Sequence, residues 1–187
     1  MNARAVLAVL AAGAVLVNAV AGERLKRPMQ VNRVAEVGLE IWTERNPPWA
    51  GRVERVQGKP VYVVTAPENN HPPAVLAYLS FPEAGVIPDS ELAEVARGAI
   101  HQAARNYGAR NPTAVSIRAA SHGKLQGYEA VFPGRVETLD VDVRIFVGAA
   151  PGRPLVAMHA YTPRGKMAHI SENLRRAWTH VEYLPRR

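Results

Sequence analysis

Asp140 and Asp142 are the two carboxylates best placed to act as an acid/base pair. On an extended strand, residues two apart share a face and lie about 6–7 Å from each other, a spacing at which two carboxylates can divide acid and base roles. Arg144 shares that face and Glu137 precedes it, so a solvated polar face with cross-strand ion pairs explains the same pattern without catalysis. Six histidines raise the question of a metal: His71, His101, His122, His159, His169 and His180. None stands in a His-x-x-x-His or His-Glu-x-x-His motif, and only His169 and Glu172 have helical spacing. Ser80, Ser90, Ser116, Ser121 and Ser171 lack the Gly-x-Ser-x-Gly elbow of a nucleophile, and Gly123-Lys124 and Gly165-Lys166 lack the flanking glycines of a phosphate loop. The expectation is therefore no catalytic set, no metal and no cofactor. Binding chemistry is better represented. Pro163-Arg164-Gly165-Lys166 puts two cations at the start of a helix, where free backbone N–H groups attract anions. Trp49 follows two prolines and, like Arg, is a typical interface anchor. Arg164, Lys166 and Trp49 are the candidate anion- or partner-binding residues.

The elements that must position these groups are mostly strands. Val37, Leu39 and Ile41 alternate with Gly38, Glu40 and Trp42, a half-buried strand that Asn46-Pro47-Pro48-Trp49 interrupts. Residues 52–57 and 61–65 read as a hairpin turning at Gly58-Lys59-Pro60. The continuous apolar run at 74–81 predicts a central strand covered on both faces. Residues 90–107 form a helix, with Asp89 or Ser90 as the N-cap, Leu92, Ala96, Ile100, Ala103 and Tyr107 as its apolar stripe, and Gly108 as its stop. Strands follow at 114–119, 128–132, 135–147 and 154–161, the third with strict alternation of Leu139, Val141, Val143, Ile145 and Val147. Gly148-Ala149-Ala150-Pro151-Gly152 turns it into an antiparallel neighbour. A second amphipathic helix at 167–178 and a short segment at 181–184 close the chain. Strands grouped together with few helices between them predict an α+β fold, with a central antiparallel sheet of about six strands flanked by the long helix and the C-terminal helix.

The N-terminus supplies an address. Arg4, the apolar run from Ala5 to Val17 and the small residues Ala19 and Ala21 are the three regions of a secretory signal. Read this way, residues 1–21 are a signal peptide, 22–30 a linker and 31–187 a single domain, periplasmic or secreted. An uncleaved anchor is the alternative, although a bilayer span takes about 20 apolar residues. With no cysteine, neither a disulfide nor a lipid-modified N-terminus is available. The chain's 23 Lys plus Arg against 16 Asp plus Glu, net +7, favours anionic partners. The basic residues are scattered and have no interleaved aromatics, which argues against nucleic acid.

Over residues 31–184 the chain resembles the PsbP/DcrB-like superfamily, which includes the Ran-binding Mog proteins. Gly38-Leu39-Glu40-Ile41 leading to Pro48-Trp49 is similar to the family's opening strand and Pro-Trp turn, and the helix from Ser90 follows strands as it does there. Leu174-Arg175-Arg176-Ala177-Trp178 followed by Val181-Glu182-Tyr183-Leu184 is similar to its closing helix and segment, with Ala177 where a Ser is common. The resemblance implies helices on both faces of an antiparallel sheet and a non-catalytic assembly or binding role, with no site residues to carry over. The sequence thus leads to an exported binding or assembly factor for a protein or anionic envelope component. An envelope hydrolase or metal-dependent enzyme using Asp140, Asp142 and a histidine is one alternative, and a small-ligand or lipid carrier is another. Mass spectrometry of the exported protein is expected to find an N-terminus near Gly22, whereas a retained Met1 would identify an uncleaved anchor.

Overall fold

The computed structural model describes residues 28–185. The signal segment and most of the linker lie outside the described residues, while Met29 and Gln30 already belong to the first strand. The element order is β1 (Met29–Val34), β2 (Leu39–Glu44), β3 (Ala50–Val56), β4 (Lys59–Thr65), β5 (Val75–Val86), α1 (Asp89–Asn106), β6 (Ile117–His122), β7 (Leu125–Val136), β8 (Leu139–Ala149), β9 (Pro154–Pro163), α2 (Met167–Thr179) and β10 (Glu182–Tyr183). The fold is α+β. Seven strands form one sheet in the order β3-β4-β5-β9-β8-β7-β6, and β1-β2-β10 form a second, so the central sheet exceeds the expected six strands. Every pairing is antiparallel.

The central strands explain the layering. Along β5, Leu76 and Tyr78 face one core cluster and Val75 faces the other, and β9 divides likewise between Val156, Met158 and Ala160 on one side and Leu155, Ala157 and Tyr161 on the other. A sheet that is apolar on both faces must be covered on both. On one side α1 packs Ala96, Ile100, Ala103 and Ala104 against Val141, Val143 and Ile145 of β8 and Phe132 of β7. On the other, α2 contributes Ile170, Leu174, Ala177 and Trp178, and the small sheet adds Leu39 and Ile41. The expected stripe on α1 is the packed one, and β5 is the two-faced central strand that its apolar run predicts.

Several local expectations change. The N-cap of α1 is Pro88 with no side-chain cap bond, because the Pro88 carbonyl itself accepts from Glu91 N–H at 2.9 Å and Leu92 N–H at 3.1 Å. The hairpin of β3 and β4 turns at Gln57-Gly58, and Lys59 and Pro60 belong to β4. The predicted strand over 135–147 is two strands: β7 runs on to Val136 and the chain reverses at Glu137-Thr138. Pro133-Gly134, read as a break, lies inside β7. Pairing with β6 stops at Ala130, so Pro133 sits where one side of β7 is free and its missing N–H costs nothing. Gly134 admits the end of α1: a Cβ there would stand 2.8 Å from the Tyr107 carbonyl oxygen, which accepts the Arg135 N–H at 2.7 Å.

Ile100 is fully buried between α1 and the sheet, whereas Leu92 at the start of the helix is half-buried. Ile100→Ala is expected to cost about 2–5 kcal/mol in urea denaturation, and Leu92→Ala distinctly less, because only the first leaves an enclosed cavity.

Candidate functional site

The polar groups that could form a site lie in three places, two of them singled out in the sequence. The first is the face of β6, β7 and β8 under α2, where the residues alternating with the apolar set of β8 lie. Glu129 of β7 is 3 % exposed and collects three donors: Arg144 of β8 (Nη2 to Oε2, 2.7 Å), Arg118 of β6 (Nη2 to Oε1, 2.6 Å) and His122 of β6 (Nε2 to Oε2, 3.3 Å). The His122 ring stands edge-on to Phe146 and Trp178, at 4.8 and 5.1 Å between centroids, and the Arg144 guanidinium lies 5.5 Å from the Trp178 ring. Burial works to raise the Glu129 carboxyl's pKa, but hydrogen bonds from His122, Arg144 and Arg118 outweigh it and hold the group down to about 2. A buried carboxylate stripped of partners would cost several kcal/mol, so this cluster is the condition on which α2 can cover a charged face. Asp140 and Asp142 share the face but not one task. Asp140 is exposed and pairs with Arg135 at 3.0 Å. Asp142 accepts from the Met167 N–H at the start of α2, at 3.4 Å, and stands 3.5 Å from Arg164. Part of the face expected to be solvated is therefore covered, and its ion pairs cross between strands as expected.

The second place is the Pro163–Lys166 turn. Arg164 and Lys166 are both exposed, and Lys166 is the residue before α2. The anion held at this helix start is the chain's own Asp142. Trp49 lies elsewhere: it is 4 % exposed, within the core cluster shared with Tyr62 and Val64, and its backbone N–H donates to the Glu44 carbonyl at 3.1 Å. It offers no exposed ring to a partner: its two prolines shape the turn from β2 into β3, and the ring, whose indole N–H meets no acceptor, fills the core behind it.

The third place was not visible in the sequence. At the far end of α2, about 20 Å from Lys166 for 13 residues at helical rise, a groove of about 410 Å³ opens between three chain segments. The β6–β7 turn supplies Lys124 and β7 its first residue, Leu125; the β8–β9 turn supplies Ala150, Pro151 and Arg153, and the closing segment supplies Val181, Glu182 and Tyr183. Lys124 pairs with Glu182 at 2.9 Å, Arg153 stacks 5.4 Å from the Tyr183 ring, and the Tyr183 hydroxyl donates to the Pro154 carbonyl at 2.6 Å. A second concavity of about 290 Å³, lined by Arg33, Glu40, Leu184 and Pro185, shares Glu182 and Tyr183 as its wall. Both open to solvent on a mixed apolar and charged lining. The only sequence signal for this end was the aromatic closing segment, since the three parts of the groove lie 25 or more positions apart in the chain.

The histidines do not converge. His159 of β9 lies on the α1 face, with Nδ1 3.3 Å from the Tyr107 hydroxyl, and burial pushes its pKa down to about 4. His180 stacks on Trp42 at 4.9 Å. Among the described residues no three His, Asp or Glu side chains come together as a metal site, and no helix is long and apolar enough to cross a membrane.

No family model and no curated protein matches the chain. Among solved structures, a Bacteroides thetaiotaomicron protein superposes with a TM-score of 0.46 at 8 % identity, covering 80 % of this chain and 46 % of its own. LpqN of Mycobacterium tuberculosis, described as involved in cell envelope biogenesis, superposes with a TM-score of 0.46 at 12 % identity, over 79 % of this chain and 83 % of its own. PA94 of Pseudomonas aeruginosa, of unknown function, gives 0.44 at 11 % identity, over 73 % and 98 %. The chain spans less than half the length of the first of these.

Two adjoining acid-dependent losses of stability follow. His159 is held neutral in the fold, so protonation favours the unfolded chain and stability falls as pH drops from 6.5 towards 4. Glu129 is held ionised, so its contribution is complete above 4.5 and is lost as pH falls towards 2. Denaturant titrations over this range are expected to show His159→Asn flattening the upper window and Glu129→Gln the lower one. At pH 7, Glu129→Gln is expected to cost about 3–5 kcal/mol, because Arg144 is left without its carboxylate.

Proposed function

We propose that the protein is an exported, non-catalytic binding factor of the PsbP/DcrB-like type. It holds an extended segment of a protein partner in the groove between Lys124, Arg153 and Tyr183. The observation that carries the reading is the convergence of three separate chain segments on one solvent-open, partly apolar groove with cations at its rim. Leu125, Ala150, Pro151 and Val181 provide apolar lining, while Lys124 and Arg153 favour an acidic residue. Tyr183, with its ring against Arg153 and its hydroxyl fixed on Pro154, is a rigid aromatic floor. Two further features support the reading: the N-terminal signal pattern, and helices on both faces of an antiparallel sheet, as the resemblance implies. The enzyme alternative draws no support from Asp140 and Asp142. One is paired on the surface and the other is engaged at the start of α2.

The Arg164–Lys166 turn is the second candidate for an anionic partner, and the two sites are separable. Immobilised protein is expected to capture a protein from envelope extract, and Arg153→Glu with Lys124→Glu to lose it at least tenfold. Arg164→Glu with Lys166→Glu is expected to retain capture. Loss with the second pair alone would move the site to the turn, and turnover of an ester, phosphate or glycoside substrate without capture would overturn the reading.

A further inference from the structure

The seven-stranded sheet ends on β3, and among the described residues no strand lies beyond it. From Ala50 to Val56 every residue except Glu54 is exposed. A bare edge of this kind is a template for another strand, and its hydrogen-bonding phase can be read from the hairpin. Gln57 and Gly58 form a two-residue turn with φ of 53° and 80°, the type I′ geometry. In such a hairpin the flanking residues, Val56 and Lys59, exchange both backbone bonds, and the pattern then alternates. By the observed register Val56, Glu54, Arg52 and Ala50 therefore turn their backbone groups to β4, while Gly51, Val53 and Arg55 turn theirs outward. Pro60, which lacks an N–H, stands opposite Arg55, where β4 makes no backbone bond to β3.

The side chains select what pairs with that edge. Arg52 and Glu54 lie on one face, already joined at 2.7 Å, and Val53, 38 % exposed, lies on the other. Laid antiparallel on a second copy of itself about a twofold at Val53, the strand puts Arg52 opposite Glu54 and Glu54 opposite Arg52. Val53 then faces Val53, and Gly51, whose side-chain position is taken up by the Tyr62 ring of β4, stands opposite Arg55. The two ion pairs close into a ring of alternating charge. A twofold at Arg52, Glu54 or Arg55 would set like charges face to face, and one at Gly51 would leave both charges unmatched. The Val53 register is also one in which the outward-facing backbone groups of Gly51, Val53 and Arg55 meet their counterparts.

We propose that β3 pairs with β3 of a second copy of this chain, antiparallel and centred on Val53, to make one continuous sheet across a twofold axis. The proposal is independent of the groove, which lies among β10 and the turns at the other end of α2. A contact confined to one strand edge belongs to the small, reversible class of interface, below about 1,200 Å². Sedimentation of the full chain is therefore expected to show monomer and dimer exchanging, with a dissociation constant on the order of micromolar. Arg52→Glu and Glu54→Arg are each expected to weaken dimerisation at least tenfold. An equimolar mixture of the two variants should recover it, as should the double exchange in one chain, so recovery shows that both variants fold. The chain has no cysteine of its own. Val53→Cys should accordingly be cross-linked by a short bis-maleimide, while Val56→Cys, about 20 Å from its counterpart, should not. A wild-type chain that stays monomeric at about 500 µM overturns the proposal. So does a dimer indifferent to both charge changes, or one that cross-links through Val56→Cys.

Discussion

The architecture depends on a central sheet that is apolar on both faces. Leu76 and Tyr78 on one side of β5, with Val75 on the other, cannot be served by a single covering layer. Each face exposed to water would cost about 25 cal/mol per Å² of apolar surface, and the chain has no disulfide to offset such a loss. The two covers are made differently. On the α1 side one long helix with a small-residue stripe lies close on β7 and β8. On the other side a 13-residue helix is too short to cover seven strands, and the three-stranded sheet of β1, β2 and β10 completes the layer. That sheet joins the start of the domain to its end, with Leu184 N–H donating to the Gly38 carbonyl at 2.9 Å.

Covering the second face brings α2 over charged side chains, and the electrostatics there follow from that cost. Glu129 stays ionised because hydrogen bonds from His122 and from Arg144, itself mostly buried, outweigh its burial. Arg118, with a side chain 73 % exposed, adds less for the same distance because water screens it. Asp142 serves at the N-terminus of the same helix. One polar face is thus used up in holding α2, and among the described residues the solvent-open features that remain are the groove and the edge of β3.

Much of this was legible along the chain. The unbroken apolar run of β5, the helical stripe of α1 and the alternation of β8 each reflect a local periodicity imposed by burial. The errors share a cause too. The reversal at Glu137-Thr138 has no Gly or Pro to announce it, and Pro133-Gly134 announced a break that the free side of β7 made unnecessary. Trp49 has the composition of an interface anchor, yet its turn delivers it inward. The face of Asp140, Asp142 and Arg144 had the right ion-pairing logic but the wrong solvent, since no strand pattern says which face a distant helix will cover.

The sequence by itself determined the α+β class, most of the elements and the residues that pack, because these depend on periods of two and 3.6 within short windows. It also set the charges that make β3 match itself about Val53. The tertiary structure alone decided which polar groups are buried together, where the groove opens and which strand is left at the edge. Those properties depend on segments far apart in the chain, and they exist only once the two-faced sheet has drawn its covers into place.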